Sequence, residues 1–453
     1  MSGKISTGDE SKSPRVVVQD ITSSTRSNSP IDPFGTAGSK MSNRRTMYYF
    51  EGPRDIQKHS KLPLFMRLHG GILPRMILPL VFVGCWATAV TLVHKYVSDI
   101  GVDTVLLVVL GFVVAFAVSF RSSTAYERYS EGRRYWSQLT FTSRNLGRLV
   151  WINMLERTDE EDSERKMKDL LGKITAINLI VAFSIALKHR LRFEPAIDYP
   201  DLQYLVAPIT STTIASHADQ SKLKHKKPST MKQVGEYLGL TFAHSNPRKL
   251  IKRSEDNLGN LPHEILAHLS AYFEKAMATK QIVGCHKFFW NDVRTMADIL
   301  TGAERILNTP LPLAYTISIA QITWMYIMVL PFQLIRKLGF VTIPATMLAA
   351  YIILGLAMIG QEIENPFGND VNDLPLESYC NEIADDLDVL ISTPMNEYAN
   401  YPEASSNIPL YPLSYQTAAE WTRQSEDDVR ALLKAKARKA HARKMEAAEA
   451  EEV

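Results

Sequence analysis

Two sets of side chains in this 453-residue chain belong to types that handle ions rather than make or break covalent bonds. The first is a run of arginines, Arg121, Arg128, Arg133, Arg134, Arg144 and Arg148. Such a run can concentrate anions by electrostatic focusing, with Arg121 and Arg128 the candidates for charge in a vestibule. The alternative is structural pairing with Glu127, Glu131 and Glu156, since acids three or four residues from an arginine share its helix face. Pairing is favoured for most of the six. The second set is Glu362, Asn365, Asp370 and Asp373, oxygen donors gathered in GQEIENPFGNDVNDLPLE. Taken alone, this stretch is a helix ended by Pro366 and Gly368, with Asn365 capping the turn and the acids solvated. Catalysis is not expected. His69, His94, His189, His263 and His268 form no set, and His263 and His268 lie five apart, off the i,i+4 spacing of a helical metal pair. There is no glycine-rich phosphate loop, nucleophile elbow or HExxH. Cys85, Cys285 and Cys380 give neither metal-ligand spacing nor a disulfide framework.

The elements that must position these residues are mostly membrane helices. A mean hydropathy of −0.10 and 45% hydrophobic content look soluble, and a net charge of +3 gives no reason to expect a nucleic-acid partner. The averages conceal segregation. Met76–Val93, Thr104–Phe120, Ile306–Ile335 and Leu338–Gln361 carry no charge over lengths near the roughly 20 residues that cross a bilayer. Spans are predicted at about 74–97, 103–121, 311–335 and 339–361. In the second, Phe112, Phe116 and Phe120 recur every four residues, each step turning the helix by about 40°, so the rings form one stripe. By itself such a stripe is ordinary packing. Gly111 beside it permits close approach of a neighbouring helix.

Basic residues before the first span (Lys58, Lys61, Arg67, Arg75) and after the second place both ends of that hairpin inside. Four spans return the C-terminus to the same side, so both termini are expected in the cytosol, in a plasma or organelle membrane. Arg336 and Lys337, in the second outer turn, run against the charge rule. Pro331 is a candidate kink. Between the hairpins, Arg121–Leu155, Lys166–Arg192 and Leu261–Ile306 are predicted helical. The apolar part of Lys166–Arg192 is only about 14 residues, short for a span and suited to burial. Residues 1–60 are a disordered arm, about 201–260 a basic insertion read as a solvated loop, and 396–453 a tail with a charged helix. No secretory signal precedes the first span.

FRSSTAYERYSEGRRYWSQL, LPLAYTISIAQITWMYIMVLPF and GQEIENPFGNDVNDLPLE together resemble the bestrophin family of anion channels, closest to its bacterial, plant and fungal branch. The resemblance covers about Lys61 to Ile391. It implies an all-α integral membrane protein with four transmembrane helices, a large cytosolic helical region and disordered tails, spanning 61–395 as one channel domain. It also implies a homo-pentamer conducting chloride and other monovalent anions passively, with Phe112, Phe116 and Phe120 as a hydrophobic pore neck. Apolar rings can gate by dewetting, and the positive edge of a phenyl ring suits a partly dehydrated anion. In the family's calcium-activated animal members the counterpart of Glu362, Asn365, Asp370 and Asp373 holds Ca2+, a hard cation that prefers such oxygens. Here the first position is Glu rather than Gln, and no cofactor is required. The alternative function is an anion carrier or membrane scaffold without a pore.

Overall fold

The computed structural model describes residues 70–103, 105–157, 163–194, 197, 199–209, 259–435 and 437–438. The predicted arm at 1–60, most of the insertion at 201–260 and the end of the tail lie outside these residues.

Eight helices carry the architecture: α1 (Leu73–Tyr96), α2 (Val105–Arg148), α3 (Ser163–Leu191), α4 (Leu261–Ala278), α5 (His286–Asn308), α6 (Leu313–Leu338), α7 (Thr342–Glu362) and α8 (Leu376–Ile391). They sort into two bundles. In the membrane bundle, α1, α6, α7 and the start of α2 pack around Met76, Val83, Ile327, Ala350 and Leu354, with a second small core of Val114, Val118 and Ile319. In the other, which we call the body, the rest of α2 joins α3, α4, α5 and α8 around a large apolar core that includes Trp136, Phe183, Phe273, Phe289 and Ile383.

Helix α2 links the two. It does not break where its sequence turns from apolar to charged at Arg121, and at 44 residues it is about 66 Å long. A π-helical turn, Leu149–Asn153, ends it. Helix α6 starts after Pro312 and stays continuous through Pro331. The turn Gly339–Val341 joins it to α7.

Apolar length alone nominates α3 as a span as well. Yet 67% of its most apolar window is buried within the chain, against 28% for α1, 22% for α2 and 22% for the α6–α7 pair. Its neighbours consume its surface, in keeping with the short apolar run of its sequence. One expectation needs correcting. Leu261–Ile306 is two helices, because Lys280 (φ 59°) and Gly284 (φ 78°) turn the chain in the left-handed region. That turn is anchored where the Leu155 amide donates to the Gln281 carbonyl at 2.7 Å.

The connection between α1 and α2 explains Arg336. Its guanidinium sits 3.0 Å from Asp99 in the α1–α2 connection, and the Val102 amide donates to the Phe332 carbonyl at 2.9 Å. The two hairpins therefore meet at one end of the bundle, where Arg336 of one is paired with Asp99 of the other.

Candidate functional site

Along α2, Val114, Val118, Arg121 and Ala125 are buried, a stripe of spacing four, three and four that faces α6 and α7. Phe112, Phe116 and Phe120 lie on the opposite side, 75%, 59% and 54% exposed. A residue two positions on is rotated by about 200°, so burying one stripe leaves the other facing away. The Phe116 and Phe120 rings touch, with centroids 5.2 Å apart. Gly111 packs under the Tyr326 ring of α6, where a Cβ would stand 3.2 Å from the hydroxyl. Further along, the exposed face changes to Ser123, Tyr126, Ser130, Arg133, Ser137, Phe141, Arg144 and Arg148. One face of one helix thus passes from bare aromatic rings to hydroxyl and guanidinium groups.

Each arginine of the run has a partner in the chain, mostly from elements distant in sequence. Arg121 is buried, with Nη2 3.8 Å from the Glu364 carboxylate. Arg128 fastens helix ends together. Its Nε donates to the Glu364 carbonyl at 3.0 Å and its Nη2 to the Ile306 carbonyl at 2.6 Å, while Nη1 reaches the Thr309 carbonyl. The C-terminal carbonyls of a helix lack intrahelical donors, so a guanidinium fork satisfies what the end of α5 leaves open. Arg133 lies over the Tyr379 ring, and Arg144 pairs with Glu382 at 2.7 Å and with Asp386. Of the expected partners, Glu131 takes Arg134 and Arg305. Glu156 pairs with buried Lys173 instead, and Glu127 is exposed. Sequence spacing found the local pair and missed those supplied by α5, α8 and the loop after α7.

That loop, 363–375, is where the motif after the second span meets the one after the fourth. Phe367 is fully buried, and Gly132 of α2 makes room for it. A Cβ at Gly132 would stand 3.1 Å from both Pro366 Cγ and Phe367 Cε1. The Leu374 amide closes the turn on the Pro366 carbonyl at 2.9 Å, and the Asp370 amide donates to Asp373 Oδ2 at 2.7 Å. Burial, reinforced by the charges of Asp370 and Glu362, pushes the Asp373 carboxyl up to about 6.

Of the oxygen donors named from sequence, Glu362 and Asp370 meet at one guanidinium, and Asp373 does not join them. Glu362 is bonded to Arg75, Asp370 Oδ2 lies 3.6 Å from the same guanidinium, and Asp373 turns inward to its own loop. Calcium takes about six to eight oxygens at roughly 2.3–2.6 Å. Here Glu362 and Asp370 face a guanidinium. Among the described residues, no group of three or more His, Cys, Asp and Glu side chains is arranged to hold a metal.

A second polar centre, not singled out in the sequence, lies where α3 ends. His189 is buried and stacked on Tyr199 at 4.0 Å, with Nδ1 2.7 Å from Glu194 and Nε2 3.1 Å from Asp201. Lys188 Nζ contacts Asp201 at 2.6 Å and Glu377 at 3.6 Å, and Arg192 holds Glu377 at 2.8 Å. Burial alone would lower the His189 pKa, but the hydrogen bonds to Asp201 and Glu194 outweigh it and the net shift is upward. The consecutive KHRLR of α3 gave no hint, because the acids come from the following segment and from α8.

Comparisons with known proteins converge. Residues 54–389 match the family model described as bacterial/fungal bestrophin protein. A voltage-dependent anion channel-forming protein of Synechocystis is 29% identical over 332 residues, covering 73% of this chain and 92% of its own. A protein of the same description from Nostoc is 28% identical over 358 residues, covering 78% and 99%. The crystal structure of a bestrophin homologue from Klebsiella pneumoniae superposes with a TM-score of 0.52 at 23% identity, covering 72% of this chain and all of that one. The helix order, the membrane bundle and a family match over most of its length together place this chain in the bacterial and fungal bestrophin family.

Proposed function

We propose that the protein is an anion-selective channel that passes chloride and other monovalent anions down their gradient. Its pore runs between subunits along the exposed face of α2. The observation that carries this reading is the bare aromatic stripe. Phe112, Phe116 and Phe120 are more than half exposed, while the buried stripe of the same helix provides its packing within the chain. Copies of α2 around an axis would turn these rings into a narrow apolar neck. Such a neck excludes water when closed. Its phenyl edges present partial positive charge to a partly dehydrated anion and disfavour a cation. The serines, Tyr126 and arginines further along the same face would line a wetter vestibule. Five subunits are the expected number, with both termini in the cytosol, and transport needs no reaction chemistry.

The test is reconstitution of the purified protein into a planar bilayer with unequal chloride on the two sides. Unitary currents should reverse at the chloride equilibrium potential. Replacing Phe112, Phe116 and Phe120 together by Ala should change conductance or gating. Wild-type currents from the triple variant would remove the neck, and saturable flux without unitary current would indicate a carrier. Particle images along the membrane normal should show five-fold symmetry.

A further inference from the structure

We infer that Arg75 is the resident cation of the acidic loop, a built-in guanidinium occupying the place that the loop's oxygen donors offer to a metal ion. Arg75 leaves the first turn of α1 and reaches across to the other end of the fold's sequence. It bonds Glu362, the last residue of α7, and lies 3.6 Å from Asp370 Oδ2. Asn372 completes the arrangement from the loop. Its Nδ2 donates to the Gly70 carbonyl at 3.1 Å and faces Glu362 Oε1 at 3.4 Å. Two stretches distant in sequence, 70–75 and 362–372, are closed on one another by these contacts.

The exposures indicate which group needs the other. The Glu362 side chain is only 12% exposed, whereas Arg75 is 54% exposed and approaches from the solvent side. A carboxylate withdrawn that far from water needs a counter-charge, and removing the partner leaves it uncompensated. A guanidinium is always charged and offers five donors in a fixed fork. It meets the need at any pH and any metal concentration, which a bound divalent ion does not. Loop closure therefore needs no bound metal ion.

The closure bears on α2. The same loop carries Glu364, whose carboxylate stands beside Arg121 and whose carbonyl accepts from Arg128. Arg121 directly follows the last phenylalanine of the stripe. Arg75 is thus a positioning residue, steadying the end of the aromatic stripe through the loop.

The experiment uses the full chain purified in detergent and reads thermal melting and amide hydrogen exchange over 362–373. Both are measured with chelator and with about 5 mM Ca2+, above the roughly 10⁻³ M of weak calcium modules. Neither readout depends on current, so the inference and the channel reading can fail separately. The wild type should melt alike in both solutions. Arg75→Gln should melt lower and exchange the loop about tenfold faster, as expected for losing a hydrogen bond to a charged group. Ca2+ should restore part of both losses, Arg75→Lys, which keeps the charge without the fork, should lose less than Arg75→Gln, and Arg75→Gln combined with Glu362→Ala should ignore Ca2+. Three results would overturn the inference: a wild type stabilised by Ca2+, an Arg75→Gln loop that exchanges like wild type, or a loosened one indifferent to Ca2+. If Arg75→Gln cannot be purified, Glu362→Ala replaces it. That variant should loosen the loop without a Ca2+ response, and wild-type exchange there would equally sink the idea.

Discussion

Helix α3 and the first half of α2 are both apolar enough to cross a membrane, yet the fold treats them in opposite ways. In α3, Ile177, Ile180, Phe183 and Leu187 are all buried by α2, α4 and α8, and its polar end is closed by Asp201 and Glu377. In α2, one stripe is buried and the Phe stripe across from it is left bare. Apolar composition says what a segment is made of, and only the neighbours decide what covers it. A helix covered by its own chain contributes to stability through every apolar residue. One left open contributes through one stripe and holds the other for lipid or for other subunits.

This contrast is easiest to break with paired truncations. Phe183→Ala opens a cavity in a site with no exposed surface, and such changes cost about 3–5 kcal/mol. Phe116→Ala removes a ring already more than half exposed and should cost well under half as much. Chemical denaturation of the two variants in one detergent gives the comparison directly. Similar losses would mean that the Phe stripe is structural, and the pore reading would suffer with it.

A smaller effect is expected where the two bundles are joined. Gly132→Val places a side chain against Pro366 and Phe367 at a point where even Cβ lies 3.1 Å from both. Overpacking of this kind costs about 1–3 kcal/mol. Phe367 is central to the loop that carries Glu364, so loop exchange should accelerate along with the fall in melting temperature. A stability loss with an unmoved loop would show that Gly132 matters only to the body. Phe367→Leu, which trims the ring in the face of that contact, should recover part of the loss in the double variant.

The sequence was most informative where a residue's fate depends on residues close to it. The four apolar spans, the burial of α3 and the helix starts near Leu261 and Leu313 follow from local pattern and capping, for instance Asn260 accepting from the His263 amide. The Phe stripe was legible from spacing, because helical geometry fixes which residues share a face. The polar network was not. Arg128 bonds carbonyls about 180 and 236 residues away, and no periodicity encodes a contact of that range. Arg75 counted only as one more basic residue before a span, and its tie to Glu362 exists only once α1 and α7 are side by side. The acidic loop stands out in the sequence as a place of concentrated charge. Its partners were not, since a carboxylate looks the same in sequence whether a metal, a guanidinium or water faces it.

The smallest expected effect concerns pH, and it separates the two regions again, because the group responsible belongs to the body. His189 has a raised pKa in the folded chain, so its contribution is fully present below its unfolded value of about 6.5. That contribution is lost as pH rises through the folded value. Asp373, pushed up to about 6, adds a loss of the same sign slightly earlier, since its carboxyl must ionise against burial and the charges of Asp370 and Glu362. Asp201 and Glu377 are shifted down despite their burial, by hydrogen bonds from His189 and Lys188 and from Arg192 respectively. Their contributions are present above ordinary carboxylate values and fall away only in acid. Melting temperature should therefore decline from about pH 4 until the folded His189 value is passed. His189→Gln should flatten the part of that decline above about 6.5, and Asp373→Asn the part between about 4 and 6. Lys188, Glu194, Tyr199 and Asp201 all face the ring, so Lys188→Met is the control for a network that titrates as a unit. If His189→Gln melts in parallel with wild type across this range, the ring is a packing element and the slope originates elsewhere.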